Sequence, residues 1–227
     1  MNLETTQLLA LAAALGWASG LRLYAVLFLT GLAGHLGWVA LPPGLQLLQN
    51  PWLLGASGSM LLIEFFADKI PGVDTLWDLV HTLIRIPAGA ALAAAVFGAD
   101  QSTWATAAAL LGGSLAATSH VAKTTTRAAL NTSPEPFSNV AISLLGDATV
   151  PAALWLAFAH PLVALAAVAL ASLAMLAITV VLIKFLRALW SRLRGDNRPD
   201  ADGRDLAPRV GAGRVSCDSN SNARPLK

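Results

Sequence analysis

Glu64-Phe-Phe-Ala-Asp68-Lys69-Ile-Pro71-Gly72-Val-Asp74-Thr-Leu-Trp77-Asp78-Leu-Val-His81-Thr-Leu-Ile-Arg85 is the densest run of ionisable residues in an otherwise apolar stretch. Glu64 and Asp68 stand one helical turn apart, so both carboxylates share a face at the end of one helix. Pro71-Gly72 breaks that helix, and Asp74 lies at the start of the next. Spacings of 4, 3 and 4 then carry Asp74, Asp78, His81 and Arg85 down one side of an apolar cylinder. Lipid cannot accept such a stripe, so it must face the interior of a bundle. Taken alone, Asp74 reads as a water-facing N-cap and Asp78 as a first-turn acid favoured by the helix dipole, with Arg85 paired back to Asp78 or His81. Taken together, the stripe runs deep: Arg85 lies about 16 Å along the axis from Asp74 at 1.5 Å per residue. Ionisable groups at that depth mark a pathway or a site.

Composition points the same way. The chain has 227 residues, 56% of them hydrophobic and 12% charged, with a mean hydropathy of +0.62. An average soluble domain carries about 25% charged residues. An ordinary soluble enzyme, a disordered chain and a nucleic-acid-binding module are therefore excluded, and an integral membrane protein remains. The single cysteine, Cys217, excludes an intramolecular disulfide framework and a cysteine-cluster metal site. The net charge of +2 divides unevenly: residues 1–183 carry −3, and residues 184–227 carry +5. The basic character belongs to the tail.

A bilayer core about 30 Å thick needs roughly 17–25 mostly apolar residues per helix. Leu21–Leu41, Trp52–Phe66, Leu79–Phe97, Trp104–Ser119, Phe137–Ala159 and Pro161–Leu186 meet or approach this. A shorter run, Thr6–Ser19, precedes them across Ser19-Gly20 and suits a half-helix, a re-entrant piece or a short seventh span. The fold expected is an all-α polytopic transmembrane bundle over residues 1–194, with halves 1–99 and 100–194, followed by a disordered cytoplasmic tail over 195–227. The halves enter the membrane in opposite directions. Ser59–Pro71 then Trp77 resembles Asn139–Pro151 then Trp155, each reading small and apolar residues, Asp, Pro, Trp. A 3+3 inverted repeat is the expectation, as in transporters whose sites lie at the repeat interface.

Lys184, Arg187, Arg192, Arg194 and Arg198 follow the last span, so the C-terminus is expected in the cytoplasm of a bacterial inner membrane. Counting back puts the Asp68–Asp74 and Asn131–Pro136 loops inside. The Pro42–Pro51 and Ala99–Thr103 loops fall outside and contain no Lys or Arg. The N-terminus is outside if Thr6–Ser19 spans and inside if it is re-entrant.

A second stripe, His120, Lys123, Arg127 and Asn131, carries positive charge where the first is mainly negative. It reads either as a snorkelling helix end or as the facing wall of an internal cavity, leaving Lys123 and Arg127 to hold an anion. Glu135 follows in a rigid Pro-bounded turn and reads equally as a solvated loop carboxylate. Asp147 lies near the middle of its span, with Pro151 one turn later freeing its carbonyl. A lone carboxylate at midspan is costly in lipid and marks a functional position. Arg22 is either an interfacial snorkeller or a charge at a helix break near the centre. Gly112-Gly113-Ser114 and Gly55-Ala-Ser-Gly58-Ser59 read as small-residue packing faces.

Gly16-Trp-Ala-Ser-Gly20-Leu-Arg22-Leu-Tyr24, Phe66-Ala-Asp68-Lys69-Ile-Pro71 through Arg85, and His120-Val-Ala-Lys123 through Glu135-Pro136 fall in an order that resembles an uncharacterised membrane family. It is the family catalogued as domain of unknown function 4126, found in bacteria and plastids, and the resemblance covers roughly residues 5–186. It implies a polytopic membrane fold and no established activity. The family pattern often has a second acid beside the position of Asp147. Here that neighbour is Gly146, which weakens a paired-carboxylate scheme there.

Three functions compete. The first is a small transporter or lipid flippase, in which Asp68, Asp78 and Asp147 relay protons or cations and Arg22, Lys123 and Arg127 hold an anionic group. The second is a membrane enzyme acting on phosphorylated lipid, with Glu64, Asp68, Asp74 and Asp78 holding a divalent cation and the basic stripe clamping phosphate. The third is a non-catalytic assembly factor whose charges set helix registry. Transport is favoured. The candidate binding residues are therefore Arg22, Glu64, Asp68, Lys69, Asp74, Asp78, His81, Arg85, His120, Lys123, Arg127, Asn131, Glu135 and Asp147. Transport requires no cofactor, and a divalent cation enters only with the enzyme reading. The partners expected are the bilayer and an anionic small molecule or lipid head group, with a homo-oligomeric copy left open and no nucleic acid.

Overall fold

The computed structural model describes residues 4–70, 73–130, 132 and 136–195. Six α-helices make up the described chain: α1 Thr5–His35, α2 Pro51–Ala67, α3 Val73–Phe97, α4 Ser102–Leu130, α5 Pro136–Ala159 and α6 Pro161–Gly195. Short 3-10 turns at Pro43–Gln49 and Ala99–Gln101 join α1 to α2 and α3 to α4. No strand occurs among the described residues. Among the described residues four helices are long and apolar enough to cross a membrane: α1, α3 over Leu76–Phe97, α5 over Val140–Ala159 and α6 over Pro161–Ser191. The apolar α2 is shorter, at 17 residues.

Large apolar side chains cover the outside, Trp52 at 88% exposure and Leu83 at 83% among them. That surface suits lipid and not water. α1 is the opposite case. Its residues Ala10–Leu23 are buried without interruption, so it is apolar all round and lies at the centre of the bundle.

The two N-terminal runs, expected from sequence as separate segments, form one helix broken at Arg22, whose backbone is extended (φ −149°, ψ 85°). The arms on either side point in opposite senses. Along the first arm Gly16 packs on Gly112 and Gly20 on Ala116 and Ser119, so it advances with α4. Along the second arm Gly58 packs on Phe28, and Gly31 lies against Leu54, so it advances against α2. α3 runs against α4, with Gly89 on Ala116 and Ala93 on Gly112, and α2 runs against α3, with Glu64 near its C-terminal end on Arg85. α2 and α4 thus share a direction, and α1 folds back at Arg22. Both its ends return to the end of the bundle that carries the Pro43–Gln49 turn.

Glycine makes this approach feasible. At Gly16 and Gly20 an added Cβ would collide with the backbone of α4, as expected where small residues let helices come into close contact. The break expected at Ser19-Gly20 lies two residues later because Gly20 is needed inside the helix for this contact. Of the second small-residue run, Gly58 packs on Phe28, whereas Gly55 faces open space.

The other boundaries extend past the apolar runs. α4, expected over Trp104–Ser119, continues to Leu130 through the whole basic stripe, and α3 begins at Val73 and not at Leu79. Pro71-Gly72, Asn131, Glu135 and the tail beyond Gly195, with Arg198 and Cys217, lie outside the described residues. The side chain of Asp74 is likewise not described.

Candidate functional site

The extended residue in α1 leaves helix carbonyls without intrahelical donors, and inside an apolar bundle each must find one. α4 supplies them: Ser119 Oγ donates to the Trp17 carbonyl at 2.7 Å, and Lys123 Nζ to the Leu21 carbonyl at 3.0 Å. The basic stripe is thus drawn to the break, and Arg22 at its apex turns toward α2 and α5.

Arg22 is 2% exposed and joins two aspartates. Its Nη2 lies 2.8 Å from Asp68 at the end of α2, and its Nε 2.8 Å from Asp147 on α5. Nη2 also donates to Ser143 Oγ at 3.0 Å. Asp68 holds Arg127 at 2.9 Å and Lys123 at 3.3 Å as well. Lys123 reaches on to Asp78 at 3.1 Å, and Arg127 to Asp78 at 3.4 Å. Asp78 carries Arg85 at 2.6 Å, and the other end of that guanidinium meets Glu64. Lys69 closes the network on Asp147 at 3.4 Å, its ammonium lying over the Phe65 ring.

The two stripes therefore meet in direct contact, and Arg22 and Lys69 link them to Asp147. All five basic residues of the first 183 positions belong to this one network, with four carboxylates. Arg22, Lys123 and Arg127 do not snorkel: each is buried or nearly so. A cavity of about 250 Å³ lies on the far side of their contact, between the apex of α1 and the helices α4, α5 and α6. Its polar end is formed by Arg22, Lys123, Thr126 and Arg127, its apolar wall by Ile142, Leu145, Met175 and Ile178.

Both histidines of the stripes stand beside the network and outside its ion pairs. His81 stacks on Trp77 at 4.1 Å between ring centres, meets Tyr24 edge-on and has Nδ1 2.8 Å from the Trp77 carbonyl. His120 places Nε2 2.7 Å from Thr82 Oγ1, which itself donates to the Asp78 carbonyl. Among the described residues no group of three His, Cys, Asp or Glu stands together as metal ligands do. Glu64, Asp68 and Asp78 each give an oxygen to a guanidinium or ammonium instead.

Sequence reasoning does not single out Ser143 or Thr82, and it notes Gly146 only as the neighbour of Asp147 where a second acid is absent. Ser143 precedes Asp147 by one turn on the same face, a signal that the spacing carries. Gly146 is the gap beside Arg22, and nothing in its neighbours announces a cavity.

The family described as Domain of unknown function (DUF4126) matches residues 9–182. No curated protein and no solved structure gives a match.

Proposed function

The chain belongs to the DUF4126 family, which carries no assigned activity, and we propose from the geometry that it is a small multi-pass carrier of an anionic substrate, coupled to protons. The observation supporting this is the convergence on Arg22: four carboxylates and five cations, drawn from five helices, meet at a helix break beside a cavity. Burying so many charges costs several kcal/mol per ion before pairing, and a purely structural core of leucine avoids that cost.

The coupling follows from occupancy. Every cation of the network already holds a carboxylate, so an entering anion must displace one. Asp147 is the one to yield, since it is 22% exposed while Glu64, Asp68 and Asp78 are at most 2% exposed. When Asp147 takes a proton, Arg22 loses one of its two aspartates and can turn to the anion. A proton and an anion then enter together and leave together.

Arg22 also supports the inverted-repeat reading, because Asp68 and Asp147, the acids of the two similar segments, both bind its guanidinium, with Asp-to-Pro spacings that differ by one residue. α2 and α5 run in opposite senses, as inverted halves require. In this reading α1 enters as two arms folded back at Arg22, and α2 to α6 complete the bundle. The cytoplasmic end is the one where α4 passes to α5, in a bacterial inner membrane.

Proteoliposomes enclosing a pH-sensitive dye test this, with a panel of phosphate- and carboxylate-bearing solutes and lipids added outside. At least one anion is expected to acidify the lumen with wild-type protein, and Asp147→Asn, folded by circular dichroism, is expected to abolish that signal. Full acidification by Asp147→Asn overturns the coupling.

A further inference from the structure

The cavity beside Arg22 opens sideways. Leu145 and Ile178, which line it, are 67% and 51% exposed and belong to the apolar outer surface of α5 and α6. A molecule entering between them leaves lipid, not water. It meets apolar walls first and the cations Arg22, Lys123 and Arg127 at the closed end. Of the Arg22 guanidinium, Nη1 is a buried donor with no hydrogen-bond acceptor.

From this we propose that the cavity is the head-group site of a lipid carrying a phosphate monoester, admitted from the bilayer between α5 and α6. The proposal rests on the anion-carrier reading and names its substrate class. Matching apolar walls to a cationic end requires an amphiphile, and the size of the cavity fits a head group with the start of its chain. Two guanidiniums and an ammonium at the closed end favour phosphate over carboxylate. A phosphate monoester carries close to two charges and three strong acceptor oxygens, and Arg matches it with parallel N–H donors. The rest of the chain lies along the exposed apolar face of α6, where Leu173 and Val181 are also exposed.

Gly146 offers a clean obstruction. It lines the cavity, and a Cβ built there meets only Arg22 Nε, at 3.9 Å. The first carbon of Gly146→Leu therefore displaces no backbone, the rest of the side chain takes up space in the cavity that Gly146 lines, and replacing a helical glycine favours the helix. Ile178→Trp narrows the entrance from the lipid side, at a half-exposed position. The experiment is native mass spectrometry of the full chain in detergent, titrated separately with dioleoyl phosphatidic acid, dioleoyl phosphatidylcholine, oleate and inorganic phosphate.

Phosphatidic acid is expected to bind roughly tenfold or more tighter than phosphatidylcholine, a gap of about 1.4 kcal/mol. Both variants are expected to lose that preference while keeping the wild-type melting temperature within a few degrees. Equal binding of phosphatidic acid and phosphatidylcholine overturns the proposal, as does equal binding of oleate or of inorganic phosphate. An unchanged preference in both variants overturns the location. The carrier reading fails separately: phosphatidic acid bound as expected, with no anion in the panel moving protons, leaves a lipid site in a protein that is not a carrier. Proton-coupled movement of a water-soluble anion, with no lipid preference, removes the lipid site and leaves the carrier.

Discussion

Arg85 is fully enclosed, with Asp78 on one terminal nitrogen and Glu64 on the other. A charge in that position is tolerated only because it is paired twice, and removing it strands Glu64, whereas Asp78 keeps Lys123 and Arg127. Arg85→Met is expected to destabilise the protein by about 3–5 kcal/mol, the usual cost of leaving a buried ion alone. Glu64→Leu combined with Arg85→Met is expected to cost less than Arg85→Met by itself, since Asp78 keeps Lys123 at 3.1 Å and no carboxylate remains unpaired. Thermal unfolding in detergent reads both, and equal losses from the single and double variants would show that Glu64 does not depend on Arg85. The same contacts remove a test that suits an isolated pair. Exchanging Asp78 with Arg85 would set a guanidinium against Lys123 and Arg127, so the exchange fails whether the charges are structural or functional. Sequence made the stripes and Asp147 legible, because lipid rejects ionisable side chains and their helical spacing therefore marks a face turned into the bundle. It could not show that Asp68, Asp147 and Arg22 share one contact. Periodicity fixes the face a residue occupies on its own helix and says nothing about which other helix that face meets.

At the scale of the element, α1 carries the arrangement. Its first arm approaches α4 closely enough that Gly16 and Gly20 leave no room for a side chain, and this contact sets the height at which Arg22 meets Asp68. Gly20→Val would press on the carbonyl of Ala116 and the hydroxyl of Ser119. Backbone cannot yield as a flexible side chain does, so the variant is expected to lose at least the 1–3 kcal/mol typical of overpacking. Gly55→Ala is the control, because nothing lies within 4 Å of the added carbon. There the loss of glycine's freedom in the unfolded chain is expected to stabilise by about 0.4–1 kcal/mol. Melting temperatures moving in the same direction for the two variants would contradict the packing argument. The break itself was legible as a small-residue interruption, but its residue was not. An extended φ and ψ at Arg22 come from the tertiary demand that Gly20 stay helical and that α4 donate to the freed carbonyls, and neither is written in local propensity.

At the scale of the molecule, the fold-back of α1 decides which side the N-terminus occupies. A straight α1 of 31 residues would extend about 46 Å at 1.5 Å per residue, well beyond a hydrocarbon core of about 30 Å. It would also deliver the two ends of the helix to opposite faces. Folded at Arg22, both ends emerge on one face, so Glu4 and the Pro43–Gln49 turn share a side, while Thr132, at the end of α4, and Ser191, at the end of α6, share the other. With Lys184 and Arg187 near the end of α6, that second side is the one expected to face the cytoplasm. Because the chain has one cysteine, Cys217, a Cys217→Ser background makes single-cysteine labelling unambiguous. Glu4→Cys and Gln46→Cys are expected to react with an impermeant maleimide added to intact spheroplasts, whereas Thr132→Cys and Ser191→Cys are expected to react only after lysis. Glu4, Gln46 and Thr132 are exposed and lie outside the candidate spans, so at these three failure to label reports sidedness and not burial. Labelling of Glu4→Cys together with Thr132→Cys would mean that α1 crosses once. Arg22 would then no longer be the turning point of the chain, and the pairing of Asp68 with Asp147 across it would lose its topological basis.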